Sequence, residues 1–318
     1  MTSLEGAVDM LRGAERILIL CHQFPDGDTL GSACALCRSL RKLGKRAAIR
    51  CSDPIGPKFA YLFRELPDDE FEPDLVVAVD IADRGLLGEP LLSRWGMTTG
   101  LSIDHHHTAS PFAAHTCADQ TAAATCELIF TILKKMGIPI GKLVADALYT
   151  GITTDTGCFR YVNTTPETHR IAAELMEDGA DSVEIDRAMF DTKSRARLAL
   201  ERYVLDTIRL TPDGRVAIIR LTKPIVRETG ASEDDLDGIA TIPRTIAGVH
   251  IGITLREKDD GNFRVSMRAR PPADASEICR VFGGGGHRGA AGCTLPPPLE
   301  TAEQKITAAA ERYLDRNL

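Results

Sequence analysis

Three apolar runs set the frame of the first half of the chain: Ile17-Leu18-Ile19-Leu20-Cys21, Leu75-Val76-Val77-Ala78-Val79 and the shorter Leu101-Ser102-Ile103. The first two, unbroken, predict strands buried on both faces, as in a parallel sheet, and the third reads as the end of another strand. Between them apolar positions recur at helical spacing. Leu30, Ala33, Leu36, Cys37 and Leu40 predict a helix over 29–43, and Ala123, Cys126, Leu128, Ile129 and Leu133 another over 122–136. Residues 4–14, 142–150 and 166–177 read as further helices, the last entered at Thr165-Pro166. A short strand is expected at 47–51, loop and helix at 54–66, and a helix at 86–92. Strands alternating with helices predict an α/β fold with a parallel sheet. In such folds ligands bind at the carboxyl ends of the strands.

Beyond residue 182 the pattern changes. Residues 182–205 read as charged helices carrying Arg187, Lys193, Arg195, Arg197 and Arg202. Strands follow at 216–221, 249–256 and 263–268, the last two joined by the turn Asp259-Asp260-Gly261-Asn262. A short helix at 275–282, the glycine run Gly283 to Gly292, a proline-rich loop and a helix over 301–315 complete the chain. This predicts a smaller α+β domain. The boundaries are 1–188 for the first domain, 189–206 for a linker helix and 207–318 for the second.

Composition narrows the classes. The 318 residues suit two domains, and 43% hydrophobic content supplies sizeable cores. A formal charge of −7 argues against a surface that coats long duplex nucleic acid. The N-terminus has no basic stretch followed by an apolar one, so no signal peptide is expected, and no apolar run is long enough for a membrane span. Nine cysteines, several inside apolar periodic runs, suit a reducing cytoplasm. Cys34 and Cys37 form a C-x-x-C pair, but on a helical face and without a second pair, so core packing is the better reading.

The candidate chemistry sits where the strands end. His22, Asp26 and Asp28 follow the first; Asp80 follows the second; Asp104-His105-His106-His107 follows the third. Asp155 lies among Thr153, Thr154 and Thr156, hydroxyls that could orient it. Gly27 would let the first turn take positive φ and bring Asp26 and Asp28 together. Each position has a plainer reading: Asp28 as a helix N-cap, Asp80 as a cap, Asp155 in an Asx turn. Together they form a nitrogen–oxygen donor set without thiolate, which favours manganese, magnesium, cobalt or iron. Four carboxylates suggest two ions, and paired ions suit phosphoester hydrolysis. In the second half, the N–H groups of Gly283 to Gly286 could cradle a phosphate, with His287, Arg288, Arg268 and Arg270 adding charge. No Gly-Lys-Ser/Thr follows, so this is not a Walker loop.

In these motifs the chain resembles the DHH-family phosphoesterases, and among them the small bacterial oligoribonucleases that also act as phosphatases on 3′-phosphoadenosine 5′-phosphate (pAp). His22 to Ser32, Asp80, Asp104-His105-His106, Asp155 and Gly283 to Gly292 match the family's motifs in order. The resemblance implies a parallel-sheet catalytic domain and a smaller DHH-associated substrate-binding domain, with the active site in the cleft between them. It implies that His22, Asp26 and Asp80 hold one manganese. Asp28, Asp80, His105 and Asp155 would hold the other, with Mg²⁺ or Co²⁺ as the alternative ions. Asp104 would orient a histidine, and His106 would face the scissile phosphate. Arg268, Arg270, Gly284, Gly285, Gly286, His287 and Arg288 would bind the substrate's terminal phosphate or base. The nucleophile would be a metal-activated water.

The implied partner is short single-stranded RNA or a nucleotide, with no membrane and no long duplex. The charged helices of 182–205 suit a homodimer. Rival substrates are the linear dinucleotide pApA, cyclic di-AMP, long single-stranded DNA and pyrophosphate. A non-catalytic nucleotide sensor would have lost a ligand, and all candidates are present. An NAD-binding turn would need G-x-G-x-x-G, which the first βα turn lacks.

Overall fold

The computed structural model describes residues 1–106, 111–236 and 238–318, so His107 lies outside the described residues. The chain divides into two compact units, Met1–Thr192 and Lys193–Leu318.

The first unit is a parallel five-stranded sheet in the order β2-β1-β3-β4-β5. Its strands are β1 (Arg16–Leu20), β2 (Arg46–Arg50), β3 (Leu75–Val79), β4 (Leu101–Asp104) and β5 (His115–Ala118). The helices are α1 (Leu4–Gly13), α2 (Gly27–Lys42), α3 (Leu91–Trp95), α4 (Thr125–Met136), α5 (Lys142–Asp155), α6 (Pro166–Glu177) and α7 (Ser182–Asp186). Alternate strand residues serve two cores. Ile17, Ile19, Val77, Val79, Leu101 and Ile103 pack with Leu30 and Leu36 of α2, Ile129 and Leu133 of α4 and Leu148 of α5. Leu18, Leu20, Val76 and Ala78 pack on the other face with Ile81, Leu87 and Leu91. Burying each such side chain contributes roughly 1.5–3 kcal/mol, so both faces of the sheet are secured. The strand order reverses direction between β1 and β3, which opens a crevice at their carboxyl ends.

Three elements depart from the sequence reading. β5 escapes it because His115-Thr116-Cys117-Ala118 has little apolar character; it joins the sheet edge by pairing with β4. The helix expected at 86–92 is split into a 3₁₀ turn, Arg84–Leu87, and α3. Gly88 at φ 65° separates the two. α5 runs to Asp155 and does not stop at Thr150; the hydroxyls of Thr150 and Thr154 bond back to the carbonyls of Asp146 and Thr150 and let the polar stretch continue as helix. Cys34 and Cys37 are buried core residues of α2, as the helical face requires.

The second unit holds a six-stranded mixed sheet in the order β10-β11-β9-β8-β7-β6. Its strands are β6 (Arg209–Leu210), β7 (Val216–Leu221), β8 (Ile251–Glu257), β9 (Phe263–Ala269), β10 (Gly285–His287) and β11 (Ala290–Leu295). α8 (Arg195–Thr207), α9 (Lys223–Thr229), α10 (Glu233–Leu236), α11 (Ala275–Arg280) and α12 (Leu299–Asn317) surround it. β7 and β8 run parallel and the other pairs antiparallel. Leu200 and Val204 of α8 are buried against Ile219 and Leu221 of β7, so this helix shares the unit's core. The glycine run is in part a strand: Gly285 and Gly286 pair with Gly292 and Ala291.

Candidate metal centre

Two tight helix contacts bring the first-unit candidates together. A Cβ on Gly31 of α2 would lie 2.3 Å from the Ala147 carbonyl oxygen of α5, and one on Gly151 of α5 would lie 2.2 Å from Cys126 Sγ and 2.7 Å from Asp28 Oδ1. Glycine at these crossings lets α2 and α5 approach closely, which sets Asp28 near Asp155. Gly27 does not take positive φ; the left-handed residue of that turn is Phe24, φ 57°. Gly27 instead begins α2, where a Cβ would fall 2.2 Å from Thr154 Oγ1. Asp26, rather than Asp28, is the helix N-cap and accepts from the N–H groups of Asp28 and Thr29.

Asp28 is fully buried and serves a different helix. The N-cap of α4 is Ala124, which offers no side-chain acceptor. Asp28 supplies it: Oδ2 accepts from the Thr125 N–H at 2.6 Å and Oδ1 from the Cys126 N–H at 2.9 Å. Thr125 Oγ1 donates to Asp80 Oδ1 at 3.0 Å. One helix terminus thus fixes two carboxylates, and the positive end of its dipole offsets their charge. Asp80 itself sits at φ 60° directly after β3, a conformation uncommon outside glycine and found at functional sites.

The histidines close the cluster. His22 Nε2 lies 3.6 Å from Asp26 and 3.7 Å from Asp80, and its Nδ1 donates to the Gln23 carbonyl. His105 Nε2 lies 3.9 Å from Asp28, 3.6 Å from Asp80 and 3.4 Å from Asp155, while Nδ1 meets the Ala122 carbonyl at 3.3 Å. His106 Nδ1 meets Asp104 Oδ1 at 2.7 Å and lies 3.6 Å from Asp80. Donor atoms fall into sets within 4.8 Å of one another: His22, Asp26 and Asp80; Asp28, His105 and Asp155; Asp80, His105 and His106. Asp80 occurs in two of these sets and His105 in two.

The electrostatics describe a site that needs added positive charge. Burial, then the neighbouring Asp80 and Asp155, push the Asp28 carboxyl well above the usual range. Burial, Asp80 and Asp26 push Asp155 up to about 8. Burial opposes charge on His22, but pairing with Asp26 and Asp80 prevails and raises it to about 11. The Asp104 hydrogen bond raises His106 to about 9, against burial. Buried like charges this close demand a counter-ion, and imidazole and carboxylate donors fit a divalent cation. Cys126, beside Asp28, is no competing ligand: burial and Asp28 hold its thiol well above the ordinary range.

Sequence reasoning missed the supports of this cluster. The hydroxyls of Thr153, Thr154 and Thr156 do not orient Asp155. Thr153 donates to Asp186, and the other two bond to carbonyls of α5. Asn163 is the residue that reaches it: Nδ2 donates to the Asp155 carbonyl at 3.2 Å and the Ala123 carbonyl at 3.0 Å. It ties the end of α5 to the loop whose Ala122 carbonyl meets His105. No motif spacing marks Asn163 or Thr125. Asn163→Ala is expected to weaken activity or metal affinity about 10–100-fold, read as a rightward shift in the manganese dependence of turnover.

In the second unit, Arg268 of β9 and His287 of β10 both register with Ala290 of β11, which places them in one row on one face of the sheet. Gly284 is packed against Gly292 and Cys293, where a Cβ would fall 2.2 Å from a carbonyl oxygen; Gly285 faces open space and Gly286 has φ 138°. Arg270 is exposed just beyond β9. Arg288 Nη2 donates to the Pro272 carbonyl, and its Nε lies 4.0 Å from Asp274.

A parallel α/β unit with clustered carboxylate and imidazole donors at its switch point, followed by a mixed-sheet unit, defines a two-domain metal-dependent phosphoesterase. The chain belongs to the DHH family: residues 16–152 match the DHH family N-terminal domain and residues 213–316 the DHHA1 domain. It is 35% identical to the bifunctional oligoribonuclease and PAP phosphatase NrnA of Thermus thermophilus, over 94% of this chain and 90% of that one. It is 25% identical to the protein of that name from Bacillus subtilis, over 88% of this chain and 90% of that one. A solved exopolyphosphatase-related protein from Bacteroides fragilis superposes with a TM-score of 0.88 at 26% identity, covering 98% of this chain and 96% of that one.

Proposed function

We propose that the chain is a divalent-metal-dependent phosphoesterase that degrades short oligoribonucleotides to mononucleotides and hydrolyses pAp to AMP. The observation that carries this reading is the sharing of Asp80 between neighbouring donor sets. The similarity to relatives named for both activities supports it. His22, Asp26 and Asp80 would hold one ion; Asp28, His105 and Asp155, with Asp80, the other. Manganese suits this donor set, with magnesium or cobalt as substitutes. Such ions polarise a phosphoryl oxygen and make water a nucleophile near neutral pH.

The chain's own side chains do the rest. Asp104 binds His106 through Nδ1 and leaves Nε2 of this half-exposed ring to donate to a phosphate or leaving-group oxygen. Thr125 and the N-terminus of α4 hold Asp28 and Asp80 in place before substrate arrives. In the second unit, Arg268, Arg270, His287, Arg288 and the Gly284 to Gly286 backbone would grip the terminal phosphate or base. His106→Ala is expected to lower kcat about 100-fold with a smaller change in KM, measured by steady-state hydrolysis of pAp.

Among the described residues no helix is long and apolar enough to cross a membrane. Nine free cysteines fit a cytoplasmic place. The test is product analysis with manganese on 5′-phosphorylated di-, tri- and pentaribonucleotides, a 24-mer, pAp, pApA, cyclic di-AMP and pyrophosphate. Mononucleotides from the short RNAs and phosphate from pAp are expected. Cleavage restricted to pyrophosphate, or to cyclic di-AMP, would overturn the substrate assignment.

A further inference from the structure

The segment that follows Asp155 holds an aromatic ring out in solvent on a stiff support. Gly157, Cys158 and Phe159 all take the left-handed conformation, at φ 57°, 57° and 59°. Consecutive left-handed residues with side chains are costly and persist only where the surroundings impose them. Here the Cys158 N–H donates to the Thr153 carbonyl, the Phe159 N–H to Thr156 Oγ1, and the N–H groups of Arg160 and Tyr161 both to the Thr156 carbonyl. The Phe159 ring stacks on His169 at 5.1 Å.

This support carries Tyr161, 51% exposed. The far end of its ring rests on Gly157, where a Cβ would fall 2.3–2.6 Å from Cζ, Cε1 and Cε2. Gly157 is therefore required twice, for its conformation and for the ring above it. Tyr161 bonds through its N–H to the residue next to Asp155, and Asn163, two residues on, bonds to Asp155 itself. The backbone that carries this half-exposed aromatic ring is thus tied to a candidate metal ligand and to the residue after it.

We propose that Tyr161 is a nucleobase-stacking subsite of the first unit. The proposal rests on the nucleotide-phosphoesterase reading and adds the residue that takes the base. A phosphoester substrate held at the carboxylates is polar throughout except for its base, and that is the part an apolar ring can take. Stacking tolerates any base, so a subsite of this kind would serve short RNAs of different sequence. One end of the ring is already seated against Gly157, which reduces the ordering that accompanies binding.

Steady-state kinetics on pAp and on its base-less analogue, ribose 3,5-bisphosphate, tests this. Tyr161→Ala and Tyr161→Leu are expected to raise KM for pAp roughly tenfold, and that for the base-less analogue less than twofold. Tyr161→Phe should restore the pAp value. Leucine keeps an apolar side chain over Gly157, so a fold defect in the alanine variant is recognised. Equal effects on both substrates, or none on pAp, would overturn the proposal while leaving the phosphoesterase reading intact. Trp95 is the chain's one tryptophan, so Tyr161→Trp adds a fluorescent reporter. Its emission should be quenched by AMP and not by ribose 5-phosphate; equal responses would overturn the proposal. If the wild-type protein leaves pAp intact, the pAp half of the proposed function fails, and the titration still decides whether the ring stacks bases.

Discussion

Asp80→Asn is expected to lower kcat by roughly 10³-fold or more, because it removes a charge that two donor sets share. The substitution is chosen to spare the fold. Asparagine accepts the left-handed conformation at φ 60° more readily than most residues, and its carbonyl oxygen can still accept from Thr125 Oγ1. What it loses is the negative charge that faces His22, His105 and His106. The loss should not be recovered by raising manganese a few-fold, since neighbouring sets are damaged together. A melting temperature close to wild type, with activity gone, separates this outcome from unfolding. A variant with activity within tenfold of wild type would mean that the two donor sets do not both depend on Asp80.

Gly31→Ala should be one of the most damaging single methyl additions in the first unit. The added carbon would meet the Ala147 carbonyl oxygen at 2.3 Å, Cys126 Sγ at 3.1 Å and the Gly151 nitrogen at 3.2 Å. Backbone lines two of those contacts, so relief requires α2 to move away from α5. Overpacking of this kind costs about 3 kcal/mol, or a fall in melting temperature of roughly 6–12 °C. The same movement parts Asp28 from Asp155, so activity should fall in whatever protein remains folded. Gly13→Ala is the control: nothing lies within 4 Å of its Cβ position, and stability should change by about 0.5 kcal/mol or less. Equal melting temperatures for Gly31→Ala and wild type would contradict the account of how the site is assembled.

The buried strands were legible because their apolar runs are continuous; β3 spans Leu75–Val79, as its sequence predicts. β5 was hidden because edge pairing asks little of its side chains. The donor residues were legible because carboxylates and imidazoles at strand ends have few other uses, and the fold gathers His22, Asp26, Asp28, Asp80, His105 and Asp155 into neighbouring sets. Their supports were not legible. Asp28 caps a helix 97 residues away in sequence, a contact with no local signature. The three threonines around Asp155 read as hydroxyls that orient it, yet it ends a helix whose hydroxyls bond back along the chain. Gly27 suggests a left-handed turn from its neighbours alone, whereas its place is set by Thr154 on another helix. In each case local chemistry names the residue, and tertiary packing decides its work.

The central claim is that one carboxylate-rich cluster holds two ions. Equilibrium dialysis of the purified, metal-stripped protein against manganese, with the metal per chain counted by mass spectrometry, tests it most directly. The account predicts saturation at two manganese ions per chain in the wild type and below two in Asp80→Asn. Saturation of the wild type at one ion or none, or an unchanged count in the variant, would contradict it.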